Sequence, residues 1–294
     1  MSVFRRLIKT ALPLTFLCLL GSITLAQKLV KPPVVQPEWS QDYKPFRIAG
    51  NLYYVGTADL ACYLITTSRG LMLINTGLPD SAPMIKKHIE DLGFKYNDIK
   101  VILATHAHYD HVGAVAAIKE QTGAKVMIGK KDAPSLADGG NSDYVMGGKG
   151  PMFAPVKADK LLCDNDTVKF YGMRIRVIHC PGHTPGACSF LFDVKDDKRT
   201  YKVLIANMPT VLSETKLAGM PGYQDVGEDY EYTLRKMKGI KFDIWLASHA
   251  SQFNMQKKHK PDDPYNPEAF ADEKGYKTAI DNLQKAYLKK LNGR

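Results

Sequence analysis

Lys100-Val101-Ile102-Leu103-Ala104 runs directly into Thr105-His106-Ala107-His108-Tyr109-Asp110-His111, and the reading of the whole chain turns on this stretch. An apolar, strand-like run delivers three imidazoles and a carboxylate in quick succession. Only eight histidines occur in 294 residues, so composition alone does not account for such a cluster. Imidazole nitrogen and carboxylate oxygen are ligands that zinc prefers, and neighbours in a tight loop point in different directions and cannot all reach one ion. The spacing predicts a two-metal site. His106 and His108 alternate, so an extended backbone projects them to one side; Asp110 and His111 fall on the following turn and aim elsewhere. Each pair then needs further ligands from distant parts of the chain.

Two other histidines have the same setting, an apolar strand with His at its mouth. His183 lies in Cys180-Pro181-Gly182-His183-Thr184-Pro185-Gly186, a Gly/Pro turn after the strand pattern Met173 to Ile178, and His249 follows the strand pattern Phe242 to Ser248. His88 falls in a helical pattern and His259 in a Lys-rich loop, so both read as packed or solvated side chains outside the site.

His-x-His-x-Asp-His with later, separate histidines resembles the signature of the metallo-β-lactamase superfamily over nearly the whole chain beyond its amino-terminal leader. Pro45 to Gly56 (PFRIAGNLYYVG) and Pro181-Gly182-His183-Thr184 resemble the third subclass of class B β-lactamases, nearest its GOB-like branch. Known members of that branch carry glutamine at the first signature position, where this chain has His106. The resemblance implies two Zn2+ per chain, the first held by His106, His108 and His183, the second by Asp110, His111 and His249. Three neutral imidazoles and an open fourth position are the pattern of catalytic zinc, and water shared by two ions roughly 3.5 to 4 Å apart supplies hydroxide at neutral pH. The implied reaction is hydrolysis of the β-lactam amide of penicillins, cephalosporins and carbapenems by that hydroxide, with Asp110 as a catalytic group that orients it or assists proton transfer to nitrogen.

The substrate class is read from the strand pattern Val203 to Ala206, which leads into Asn207-Met208-Pro209-Thr210. Thioesterase and many lactonase relatives place a metal-bridging aspartate near this point. Met208 stands there instead, and a thioether is a poor ligand for a hard, hydroxide-bridged zinc pair. Lactonase or thioesterase chemistry is the alternative that this residue counts against. Thr210 is expected at the substrate carboxylate, where the subclass uses a serine. Ala137 to Pro151 carries five glycines in fifteen residues and reads as a mobile loop beside the active-site mouth, with Tyr144 or Met146 touching substrate.

Strand patterns alternating with helical ones at Ser81 to Leu92, Val112 to Gln121 and Gly227 to Met237 argue for one α/β domain over residues 27–294, without repeats or a low-complexity linker. A last helix bears an apolar stripe at Tyr276, Ile280, Leu283, Tyr287 and Leu291, read as core packing. The resemblance implies an αββα sandwich: two mixed sheets face to face, helices outside, metals at one edge.

Arg5, Arg6 and Lys9 precede an apolar run from Ala11 to Leu20 and small residues up to Ala26, the pattern of a secretory signal over residues 1–26 and hence of a periplasmic protein. Without those three charges the formal net charge falls from +10 to +7, spread as scattered lysines with no aromatic interleaving. That argues against nucleic-acid binding, and nothing suggests stable membrane association. The expected partner is a small-molecule substrate and the expected enzyme a monomer. Cys62, Cys163, Cys180 and Cys188 would face an oxidising compartment, with pairing not decided by sequence. A non-catalytic metal-binding protein is the competing class, but such proteins favour flexible His-rich tracts over strand-end geometry.

Overall fold

The computed structural model describes residues 28–293, and the expected leader, residues 1–26, lies outside them. The strands are β1 (Phe46–Ala49), β2 (Leu52–Tyr54), β3 (Tyr63–Thr67), β4 (Gly70–Ile74), β5 (Ile99–Leu103), β6 (Lys125–Gly129), β7 (Lys160–Leu162), β8 (Thr167–Phe170), β9 (Met173–His179), β10 (Cys188–Lys195), β11 (Thr200–Ala206) and β12 (Ile244–Ala247). The α-helices are α1 (Ala82–Asp91), α2 (Tyr109–Val112), α3 (Val115–Thr122), α4 (Ala133–Ala137), α5 (Val226–Met237), α6 (Met255–Lys258) and α7 (Glu273–Leu291). Strands β1 to β7 form one sheet in chain order, and β12-β11-β10-β9-β8 form the other. Both are mixed, with β4 to β7 parallel in the first and β11 parallel to β12 in the second.

Strand β5 shows why this is a layered sandwich. Val101 and Leu103 enter the core between the sheets, while Ile102, followed by Ala104, packs with Ile85 and Ile89 of α1 and Ile118 of α3. A strand covered on both faces needs a near-continuous apolar run, which this one has. On the other side, Tyr230 and Leu234 of α5 and Tyr276 and Ile280 of α7 share the core with Trp245 and Leu246 of β12. The expected αββα arrangement is the observed one.

Three local readings need adjustment. The helix expected over Val112 to Gln121 is α3, which begins three residues later after a separate turn, because Gly113 donates to the Gly77 carbonyl and sits so close to the preceding loop that a Cβ there would lie 2.4 Å from the Pro79 nitrogen. That turn is α2, and it carries Asp110 and His111. The α7 stripe is core at Tyr276, Ile280 and Tyr287, but Leu291 in the last turn is 50% exposed, where the helix runs out of sheet to cover. The glycine-rich loop is pinned rather than unstructured: the Asp143 carboxylate accepts from the Val145 and Met146 amides, and Asn141 Oδ1 from the Gly150 amide.

Among the described residues Cys62, Cys163, Cys180 and Cys188 are free thiols. Burial pushes the Cys180 thiol up to about 11 and Cys188 well above its ordinary value, so both are neutral, packed groups. No described helix is long and apolar enough to cross a membrane.

Candidate metal centre

The carboxyl ends of β5, β9, β11 and β12 open on one edge of the sandwich, and the loops leaving them carry the signature residues. The loop after β5 is fastened from both sides. Asn75 Oδ1 accepts from the amide and hydroxyl of Thr105 at 3.0 Å each, and Ser248 Oγ reaches Thr105 Oγ1 at 3.1 Å. These bonds fix the direction in which His106 and His108 leave the strand.

His106, His108 and His183 stand as a near-equilateral triangle. Their ring centroids are 4.7, 4.8 and 4.7 Å apart with planes 68° to 85° from one another. One nitrogen of each ring has a side-chain or backbone neighbour: His106 Nδ1 lies 3.3 Å from Thr105 Oγ1, His108 Nε2 donates to Asp143 Oδ2 at 3.0 Å, and His183 Nδ1 donates to the Thr210 carbonyl at 2.8 Å. This leaves the second nitrogen of each ring over, and His106 Nε2 is buried without any hydrogen-bond partner among the described residues. A buried, orphaned nitrogen is costly unless something else fills its lone pair, and a cation held by three imidazoles does so. The donor set therefore fits zinc.

A second set adjoins the first. Asp110 Oδ2 lies 3.1 Å from His111 Nε2 and 3.4 Å from His249 Nε2, and the His111 and His249 rings are 4.9 Å apart. The ligand atoms of His106, His108 and His183 all lie within 4.8 Å of one another, as do those of His106, Asp110 and His111; His249 joins the second group through Asp110. His249 Nδ1 in turn donates to Asp59 Oδ2 at 3.0 Å. All six residues named from the sequence thus meet at one place. His88 and His259 do not: the first is buried between Val55 O and Asp42, and the second stacks on Phe46.

Electrostatics sorts the groups into roles. Burial holds His106 well below its ordinary value and, with His108 alongside, holds His183 at about 3, so both are neutral and can donate lone pairs. Burial opposes ionisation of Asp110, but His111 and His249 outweigh it and keep the carboxyl well below the usual range. Burial likewise opposes the charge on His249, yet Asp110 and Asp59 raise it to about 9. A cation arriving there takes the place of a proton.

Three carboxylates behind the centre escaped sequence reading. Asp143 and Asp59 orient His108 and His249. Asp132, fully buried, accepts from the Ala107 amide at 3.0 Å and the Thr184 hydroxyl at 2.7 Å through Oδ2, and from the Gly186 amide at 2.6 Å through Oδ1. It ties the His106–His108 loop to the His183 loop. The end of β6 packs tightly on the His183 loop beside it, since a Cβ on Gly129 would lie 1.8 Å from the Gly186 carbonyl oxygen. Asp59 and His249 are 190 positions apart, a separation at which no local spacing signals a pair.

The centre floors a cleft of about 450 Å³. Met208 and Thr210 line it, as do Val145, Met146 and Lys149 of the glycine-rich loop. Tyr144 does not. Its hydroxyl is directed at the carbonyls of Gly182 and His183, 3.1 and 3.2 Å away, so it braces the His183 loop from behind, and its two successors face the cleft.

Residues 59–201 match the model of the metallo-β-lactamase superfamily. A β-lactamase from Chitinophaga pinensis is 61% identical, with 90% of this chain and 100% of that one covered and a TM-score of 0.89. The class B3 di-zinc metallo-β-lactamase LRA-12 from an Alaskan soil metagenome is 56% identical over 89% of this chain and 100% of its own, TM-score 0.87. GOB-18 from Elizabethkingia meningoseptica is 50% identical over 92% of this chain and 100% of its own, TM-score 0.89. The chain spans less of the curated relatives it matches, 55% of the length of the first and 36% of the second. With solved metallo-β-lactamases matched over their full length at half or more identity, the chain belongs to the metallo-β-lactamase superfamily, alongside its class B3 members.

Proposed function

We propose that this protein is a periplasmic β-lactamase that holds two Zn2+ and hydrolyses the amide bond of β-lactam antibiotics. The observation that carries the reading is the pair of adjoining ligand sets, His106, His108 and His183 beside Asp110, His111 and His249, at the floor of a cleft. Zinc bound there supplies Lewis acidity toward a lactam carbonyl and a hydroxide nucleophile at neutral pH. Likeness to class B3 enzymes over their whole length supports the substrate class. The leader pattern of residues 1–26 supports export.

The chain's own groups divide the remaining work. Asp143, Asp59 and the Thr210 carbonyl hold His108, His249 and His183 in orientation, which fixes where the reacting carbonyl must sit. Asp110, kept ionised by its two imidazole neighbours, is a carboxylate at the cleft floor able to accept the proton of the attacking water and to pass that same proton to the departing nitrogen. Met208 supplies an apolar, non-ligating surface, and Thr210 a hydroxyl at the wall. Among the described residues Lys149 is the one lysine or arginine lining the cleft, and it is exposed, so it is the group available to the carboxylate that β-lactams carry.

The testing experiment is turnover of a cephalosporin and a carbapenem by the purified chain, with and without a zinc chelator, beside thioester and lactone controls. Chelator-sensitive lactam hydrolysis with restoration by zinc is expected; zinc-dependent turnover of a control alone would move the protein to that chemistry. A narrower expectation concerns Lys149→Ala. It should raise KM for carboxylate-bearing substrates roughly twofold to fivefold, the worth of an exposed ion pair, and leave kcat near its starting value. Equal KM values for variant and parent would remove Lys149 from substrate recognition.

A further inference from the structure

The segment preceding β1 lies outside the stretch that the superfamily model matches, residues 59–201, yet it runs along the mouth of the cleft. Up to Trp39, three hydrogen bonds fasten it beside the site. The Val30 amide donates to the carbonyl of Pro151, where the glycine-rich loop ends, at 2.8 Å. The Val34 carbonyl accepts from the hydroxyl of Tyr109, the residue between His108 and Asp110, at 2.6 Å. Trp39 Nε1 donates to Asp59 Oδ2 at 3.0 Å. That oxygen is the one that also accepts from His249 Nδ1, and the indole ring lies 5.6 Å from the His249 ring and 6.3 Å from Tyr109, centroid to centroid.

Pro33, Val34 and Trp39 wall one side of the cleft. We propose that Trp39 is a positioning residue for His249, acting through the Asp59 carboxylate that both share. The inference rests on reading Asp110, His111 and His249 as ligands of the second zinc. An imidazole held only by one hydrogen bond still swings about it. Here the acceptor is immobilised, because Asp59 Oδ1 takes the Ser251 amide at 2.8 Å while Oδ2 is shared with the indole. The indole ring beside His249 restricts the remaining tilt, which leaves Nε2 aimed at the Asp110 carboxylate. A hydrophobic clip would need the bulk of the ring; only a positioning residue needs the N–H on that particular oxygen.

Trp39→Phe keeps an aromatic ring and removes the N–H, whereas Trp39→Ala removes the wall as well. In the full chain, competition with a chelator should show the second zinc held about tenfold more weakly in Trp39→Phe, with the first unaffected. Its kcat should fall while KM stays close to the parent value; Trp39→Ala should add a rise in KM. Fluorescence reads the same event without turnover. The chain has two tryptophans, and Trp245 is fully buried in the core, so zinc titration should change the emission of the parent as the second ion binds and leave that of Trp39→Phe flat. Unchanged affinity for both ions in Trp39→Phe, with only a lowered melting temperature, would overturn the inference while leaving the two-zinc reading intact. Absence of zinc from the parent chain would overturn both. Should Trp39→Phe fail to fold, the parent decides alone: an emission indifferent to the second zinc defeats the proposal.

Discussion

Asp110→Ala is expected to lose one zinc per chain and at least about a hundredfold in kcat/KM, equivalent to about 2.7 kcal/mol of transition-state stabilisation. Among the described residues Asp110 is the single carboxylate within reach of both His111 Nε2 and His249 Nε2, at 3.1 and 3.4 Å. Without it the buried His111 ring and the partly buried His249 ring face each other with no anion between them. His249, held at about 9 by Asp110 and Asp59 against its burial, would lose the carboxylate that faces its Nε2 and keep only Asp59 on Nδ1. The second cation then meets two neutral ligands instead of two and a charge, and the group proposed to deliver a proton to nitrogen is gone. Metal analysis and steady-state kinetics on one preparation check this, with a melting curve to establish that the fold survives. Two zincs retained with unchanged turnover would reject the role.

Asp132→Ala should show the largest loss of stability without touching a ligand. It strips the acceptor from three donors, the Ala107 amide, the Thr184 hydroxyl and the Gly186 amide, in a site closed to solvent. Each buried donor left unpaired costs about 1 to 3 kcal/mol, so the sum is on the order of 3 to 5 kcal/mol after partial relaxation. That is a large part of the net stability of a typical domain, about 5 to 15 kcal/mol. Asp132→Asn keeps one acceptor oxygen and should lose distinctly less. Urea midpoints compared at constant slope are the measurement, and a midpoint for Asp132→Ala equal to that of the parent would show that the loops are aligned by something else. Because those loops carry His106, His108 and His183, zinc content should fall together with the midpoint.

The two predictions differ in how visible their residues are along the chain. Asp110 sits inside a dense local pattern, where four ligand-type side chains follow an apolar strand, and short spacing alone restricts what they can do. Strand β5 was readable for a similar reason: a segment buried on both faces has to be apolar throughout, and Val101, Ile102 and Leu103 state this openly. The edge strands β7 and β8 are short and partly exposed, so their patterns are weak. The break between α2 and α3 was hidden as well, because it arises from Gly113 meeting the Gly77–Pro79 loop, which helix periodicity does not record.

Asp132, Asp59 and Trp39 lie still further from sequence reading. A lone aspartate in Lys130-Lys131-Asp132 looks like any solvated surface carboxylate, and it becomes a buried tie only when two loops from opposite sheets close on it. Tyr144 shows the converse, since an aromatic residue in a loop at the cleft turns its hydroxyl to the backbone behind His183. What the sequence determined by itself was the α/β class and the four clustered side chains His106, His108, Asp110 and His111, because periodicity and local ligand spacing act over a few residues; the layering of the sandwich and the assignment of His183 and His249 to the two ligand sets were what the resemblance implied. Only the tertiary structure decided which groups orient those side chains and which line the cleft. Hydrogen bonds such as Asp59 to His249 join positions 190 residues apart, and nothing short of the folded chain brings them within 3 Å.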